Sequence, residues 1–196
     1  MNREALIERR TAETCIRVKL DLDGSGKWQG SSGIPFFDHL LAQLARHGLL
    51  DLEIQAEGDL EVDNHHTIED IGICLGQAVK QALGDKAGIN RYGHTLIPMD
   101  EALVQVVLDL SGRPYLAYNL DLAPGRIGSL ETELLEEFLR AFVNHGALTL
   151  HVQKLAGRNG HHIAEALFKA LGRAIREAAS HDPRVEGIPS TKGNLV

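Results

Sequence analysis

Cysteine is almost missing from this chain: Cys15 and Cys74 are the only two among 196 residues. They stand at no metal-type spacing, which excludes a thiolate cluster and a disulfide framework, and both read as small buried hydrophobes in a reducing compartment. Long apolar runs are missing too. No stretch approaches the roughly 20 apolar residues of a membrane span, and Met1 to Arg10 carries acids and three arginines where a leader would carry an apolar segment. A cytoplasmic protein with no membrane partner is expected. Nor is there an excess of positive charge. The 20 Lys and Arg against 27 Asp and Glu leave a net charge of -7, which argues against a nucleic-acid partner. An anionic substrate must instead meet a local cluster of Arg and Lys. What the chain has in quantity is histidine, ten in all, and their clustering matters more than their number.

Alternation marks the strands. Ile16, Val18, Leu20 and Leu22 alternate with Arg17, Lys19 and Asp21, the period of a half-buried strand. Asp23-Gly24-Ser25-Gly26 turns the chain. A short strand follows around Trp28, then a helix from about Phe37 to His47 with Gly48 as C-terminal cap. Leu50, Leu52, Ile54 and Ala56 make a third strand, and Ile68, Ile71, Leu75, Val79 and Leu83 step along a helix that ends at Gly84. The second half repeats the order. Leu103 to Leu110 and Tyr115 to Leu122 are strands, and Leu130 to His145 is a helix capped by Gly146. Leu148 to Val152 is a strand, and Ile163, Leu167, Leu171 and Ile175 mark the last helix. Arg46-His47-Gly48 answers Asn144-His145-Gly146, and Asn64-His65-His66 answers Gly160-His161-His162. The simplest reading is a duplicated half. This predicts one α+β domain of two pseudo-repeats, about 9–93 and 94–182, each strand-strand-helix-strand-helix, with helices between or against two sheets and a tail over 183–196.

His65-His66-Thr67-Ile68-Glu69 and His161-His162-Ile163-Ala164-Glu165 each open a predicted helix. Residues four apart share a helix face, so His65 joins Glu69 and His161 joins Glu165. Adjacent histidines point about 100° apart and do not easily share an ion. His66 and His162 therefore serve a different metal from their neighbours: one site takes His65, Glu69 and His162, the other His161, Glu165 and His66. Each still lacks a ligand. His39 is a candidate, and the duplication sets Glu137 opposite it, since both stand eight residues before a His-Gly pair. Mixed imidazole and carboxylate ligation with open positions favours Mn, Fe or Zn over Ca or Mg. His47, His94, His145, His151 and His181 have no such partners and read as ordinary side chains.

These residues resemble the imidazoleglycerol-phosphate dehydratase family over nearly the whole chain. The resemblance is carried by Phe36-Phe37-Asp38-His39, Asp63 to Asp70, Pro98-Met99-Asp100-Glu101-Ala102, Ser111-Gly112-Arg113-Pro114, Asn159 to Glu165 with Phe168-Lys169, and Ser190-Thr191-Lys192-Gly193. It implies dehydration of imidazole glycerol phosphate to imidazole acetol phosphate in histidine biosynthesis, with two Mn(2+) ions per active site. It also implies sites formed between subunits of a 24-chain homo-oligomer, in the single-function form of the enzyme. Many members have histidine where this chain has Glu137, so the fourth ligand of one site is here a carboxylate. Glu13, Gln43, Arg91, Arg113, Lys169, Ser190 and Lys192 stand in matching motifs as substrate contacts, with Thr191 among them.

The substrate has no carbonyl to acidify its C–H bond, so the imidazole must be the electron sink. Held as imidazolate by two metals, the ring can expel the side-chain hydroxyl. Glu13, Glu165 and Lys169 are the candidates for proton transfer. Arg91, Arg113 and Lys192 offer charge-assisted contacts to the phosphate, and the tail from Pro183 is a candidate lid. Two other readings fit the metal motifs taken alone. A dinuclear metallohydrolase would release phosphate or an acid. An oligomer merely glued by its ions would have no need of Glu13, Arg91 or Lys192.

Overall fold

Each half of the chain builds the same sheet. In the computed structural model, which describes residues 3–195, the first half runs β1 (Glu4–Arg10), β2 (Thr14–Asp21), β3 (Trp28–Ser31), α1 (Pro35–Gly48), β4 (Asp51–Gly58) and α2 (His65–Leu83). The second runs β5 (Tyr92–Met99), β6 (Ala102–Asp109), β7 (Tyr115–Asn119), the small hairpin β8 (Arg126–Ile127) and β9 (Leu130–Glu131), α3 (Leu134–Gly146), β10 (Thr149–Ala156) and α4 (Gly160–Ala179). The sheets are ordered β1-β2-β4-β3 and β5-β6-β10-β7. In each, the final pair is parallel, its strands joined through a helix, while the other neighbours are antiparallel. The shared order and sense make this an α+β fold of two repeated halves.

The helices lie between the sheets. Val18 faces Ile54 and Leu20 faces Leu52 in the first sheet, and Val106 faces Val152 and Leu108 faces Leu150 in the second. All eight are buried, because alternation sends one face of each strand inward. Helix α2 covers β1 and β2, α4 covers β5 and β6, and the layers meet where α2 packs on α3 and α1 on α4. Phe37, Phe138 and Phe168 join three helices, with ring centroids 5.2 to 6.2 Å apart.

Four details depart from the sequence reading. Each half gains a leading strand, β1 and β5. The segment Leu130–Glu131 belongs to a hairpin, so α3 begins at Leu134. Strand β7 stops at Asn119. Gly48 and Gly146 are the last helical residues, not the left-handed caps; Leu49 (φ 53) and Ala147 (φ 49) take that conformation. The glycines serve a close approach instead: a Cβ on Gly48 would lie 3.0 Å from the Gly172 carbonyl oxygen.

A left-handed alanine is strained by roughly 1–2 kcal/mol, whereas glycine is not. Ala147→Gly is therefore expected to stabilise the protein slightly, by about 0.5 kcal/mol once the greater freedom of the unfolded glycine is subtracted. A shift in the urea midpoint checks the sign.

Candidate metal centre

The start of α4 is fixed by Asn159, whose side-chain oxygen accepts the His161 backbone N–H at 3.0 Å. One turn on, Glu165 lies on the face of His161, as four-residue spacing requires. Its Oε1 is 3.0 Å from His161 Nε2 and 2.7 Å from His39 Nε2, the latter delivered by α1. The ligand atoms of the three residues all lie within 4.8 Å of one another. The second carboxylate oxygen, Oε2, is 2.6 Å from Lys169 Nζ. Glu165 is only 6% exposed. Burial pushes its carboxyl up, but hydrogen bonds from Lys169, His39 and His161 prevail and hold it at about 2. The Phe36 ring, 4.9 Å from that of His161, walls one side. Two imidazole nitrogens converging on one carboxylate oxygen form a donor set that fits Mn, Fe or Zn.

The duplicate copy is looser. His65 Nε2 stands 3.9 Å from Glu69 Oε2 across one turn of α2. Glu137 lies in the first turn of α3, and among the described residues no hydrogen bond or ion pair joins it to His65 or Glu69. The β8–β9 hairpin closes this end, since Asn64 Nδ2 donates to the Ser129 carbonyl at 2.7 Å and to Glu131 at 2.9 Å.

The inner histidines turn away from their neighbours, with ring planes at 85° for His65 and His66 and at 89° for His161 and His162. His66 Nδ1 meets Asp59 at 3.0 Å, and His162 Nδ1 meets Glu101 at 2.7 Å. Hydrogen bonding to these carboxylates raises the pKa of both histidines, and Glu101 is held down at about 2 by His162 and by the N–H groups of Asn159 and Arg158. Among the described residues of one chain, His39, His161 and Glu165 form the one cluster of three metal donors, and no hydrogen bond or ion pair joins His162 to His65 or Glu69, or His66 to His161 or Glu165. The sequence alone assigns no role to Asp59 or Glu101. Separations of 7 and 61 residues from their histidines left no local spacing to find them by.

Glu13 is exposed on the β1–β2 turn, its Oε2 3.9 Å from His66 Nδ1. Buried Asp70 ties this turn to α2 by accepting hydrogen bonds from Arg9 Nε at 2.8 Å and from the Thr14 hydroxyl. Gln43 follows His39 by one turn of α1 and is half-buried.

The anion-binding candidates gather elsewhere. Arg91 forks onto Asp109 at 2.7 and 3.1 Å, and its Nη1 donates to the Pro189 carbonyl at 2.9 Å. The Arg113 guanidinium, largely exposed, reaches to 3.9 Å from Asp109. Ser190 Oγ accepts the Lys192 backbone N–H at 3.2 Å, while the Thr191 and Lys192 side chains are exposed. The Arg91 backbone N–H bonds to the Ala178 carbonyl at the far end of α4, and 17 residues from His161 at about 1.5 Å each make roughly 25 Å. Strand β6 gives a second ruler. Glu101, beside His162, and Asp109, beside Arg91, stand at its opposite ends, again about 25 Å apart at roughly 3.3 Å per residue.

The family model for imidazoleglycerol-phosphate dehydratase matches residues 32–175. The chain belongs to that family. It is 78% identical over 195 residues to imidazoleglycerol-phosphate dehydratase of Moorella thermoacetica, covering 100% of both chains. It is 59% identical over 194 residues to that of Thioalkalivibrio sulfidiphilus, covering 98% of both. Among solved structures, the Staphylococcus aureus dehydratase superposes with a TM-score of 0.83 at 38% identity, covering 91% of this chain and 99% of that one. The Pyrococcus furiosus protein gives 0.82 at 36%, covering 96% and 100%. Membership makes the chain a hydro-lyase of histidine biosynthesis acting on a small phosphorylated substrate. No helix of the described residues is long and apolar enough to cross a membrane.

Proposed function

We propose that the chain dehydrates imidazole glycerol phosphate to imidazole acetol phosphate with two divalent transition-metal ions, Mn(2+) foremost, at sites assembled from several copies of one cytoplasmic homo-oligomer. The observation that carries the metal reading is the convergence of His39, His161 and Glu165 on one point. His39, His161 and Glu165 would hold one ion with His66 from another copy. His65, Glu69 and Glu137 would hold the other, with His162 supplied likewise. Bound there, the ions would supply Lewis acidity to an imidazolate ring, making it an electron sink.

The chain's own groups divide the remaining work. Lys169 bonds one Glu165 oxygen and leaves the other facing His39 and His161, so the carboxylate is oriented before any ligand arrives. Lys169 can then pass or hold a proton on the Oε2 side, while exposed Glu13 is free to take the substrate's C–H proton. Arg91, Arg113, Ser190, Thr191 and Lys192 would bind the phosphate, and Gln43 would contact the substrate beside His39. The roughly 25 Å between the two ends of α4 exceeds the reach of an imidazole carrying a three-carbon phosphate chain. One copy's metal residues would therefore work with another copy's arginines, which supports a site at a subunit interface; the figure of 24 chains rests on the family resemblance alone. Each copy is read as one dehydratase domain of two pseudo-repeats, with the tail over 183–196 folding against the phosphate.

Stripping the metal and restoring Mn while following ketone against free phosphate tests the reading. Ketone formation that depends on about two metals per chain is expected; release of phosphate would point to a hydrolase. Arg113→Ala should raise KM about 10–100-fold with little change in kcat, since it removes one exposed charge-assisted contact to a group that does not react. Initial rates measured from well below to well above KM separate the two effects.

A further inference from the structure

Two carboxylates sit against the second histidine of each motif, Asp59 against His66 and Glu101 against His162. Glu101 Oε2 meets His162 Nδ1 at 2.7 Å, while Oε1 accepts the backbone N–H groups of Asn159 at 2.8 Å and Arg158 at 3.1 Å. Both its oxygens are thus engaged, and the group is fixed although its side chain is 45% exposed. Asp59 faces His66 Nδ1 with both oxygens, at 3.0 and 3.3 Å. A neutral imidazole carries one N–H, and a carboxylate on Nδ1 makes that nitrogen the donor and leaves the lone pair on Nε2. Among the described residues, the polar neighbours of His162 Nε2 are more distant: Asn159 Nδ2 at 3.4 Å and Asp100 Oδ2 at 3.7 Å.

The duplication adds an independent argument. The β1–β2 turn, which carries Glu13, and the β5–β6 turn, which carries Glu101, hold equivalent places in the two sheets. Each presents a glutamate to the second histidine of the adjoining motif, but Glu13 stays 3.9 Å from His66 whereas Glu101 closes to 2.7 Å on His162. Asp59 takes the position on His66 that Glu13 leaves open. One copy of the turn has kept its carboxylate free; the other has locked it.

We propose that Glu101 and Asp59 are positioning residues, which fix His162 and His66 as Nδ1–H tautomers and turn their Nε2 lone pairs outward to a metal shared with another copy. This rests on the reading that His66 and His162 are metal ligands. Such a carboxylate behind a ligating imidazole typically changes metal affinity by about 10–100-fold.

The test uses the assembled protein and Mn(2+) itself. Chelator competition should find the affinity of one metal per chain reduced about 10–100-fold in Glu101→Ala and largely recovered in Glu101→Gln, whose amide oxygen still accepts from Nδ1–H. In a His162→Ala background, Glu101→Ala should cost nothing further. Nitrogen-15 shifts of the metal-free protein should report Nδ1–H at His162 and its loss in Glu101→Ala. An equal cost of Glu101→Ala in both backgrounds, or an Nε2–H tautomer in the unsubstituted protein, overturns the proposal. Unchanged metal affinity in His162→Ala, with the tautomer still set by Glu101, would instead overturn the ligand reading, so the two failures are distinguishable.

Discussion

Glu165→Gln is expected to lower kcat/KM on the order of 10³-fold and to remove one metal per chain, because direct Lewis-acid chemistry is worth several kcal/mol. The glutamate Oε1 faces two imidazole nitrogens at 2.7 and 3.0 Å, and Oε2 faces an ammonium at 2.6 Å. Glutamine has nearly the same shape but only one accepting oxygen and no charge. It must turn its NH2 either toward the histidines, repelling a cation, or toward Lys169, leaving the ammonium unpaired where its side chain is 16% exposed. The pH dependence of the metal-free protein should change as well. The folded carboxyl lies at about 2, below its ordinary 4.5. Its contribution to stability is therefore present above about pH 4.5 and lost as the pH falls toward 2. Acid unfolding of the variant should lack that component. Elemental analysis and turnover, taken together, check the main effect; a variant that keeps both metals and turnover removes Glu165 from the centre.

The second large effect is on stability. Gly172 on α4 faces α1 so closely that a Cβ would stand 2.4 Å from the Leu44 carbonyl oxygen and 2.9 Å from the Gly48 nitrogen. Gly76 on α2 does the same against α3, with 2.5 Å to the Phe142 oxygen and 2.8 Å to the Gly146 nitrogen. The obstructing atoms are backbone, which cannot swing aside. Helix propensity alone favours alanine by about 1 kcal/mol, but the helices would have to separate and the Phe37, Phe138 and Phe168 cluster would loosen. Gly172→Ala is expected to destabilise by about 3 kcal/mol net, read as a lowered unfolding midpoint at fixed protein concentration. A neutral or stabilised variant would show that the helices do not approach so closely.

How far the sequence could be read follows from where the information lies. Period-two alternation made β2, β4, β6 and β10 legible because one face of each is buried. Strand β1 escaped because Glu4–Arg10 buries only Ala5 fully and is otherwise charged or half-exposed, and β5 because Gly93 and Pro98 break its pattern. Gly48 and Gly146 invite reading as caps, since glycine favours that position; their contacts lie across the helix layer, which no local pattern reveals. The same holds at the centre. The pairing of His161 with Glu165 is a matter of helical pitch and is legible; His39 is a candidate from its place near the start of the preceding helix, and duplication adds only Glu137 opposite it. Glu101 and Asp109 act across 61 and 18 residues, and Asp59 across 7 from a loop before α2, a separation tied to no helical or strand period, so spacing could not have named them.

Intersubunit complementation tests the central claim, a site shared between copies, most directly. Arg91→Ala and Glu165→Gln proteins, each inactive alone at low substrate, would be unfolded together, reassembled in equal amounts and assayed. If one copy's arginine serves another copy's metal residues, about a quarter of the sites combine two intact contributors and activity returns to that level. If both residues serve the same site from one chain, every site stays defective and the mixture remains as inactive as its parts.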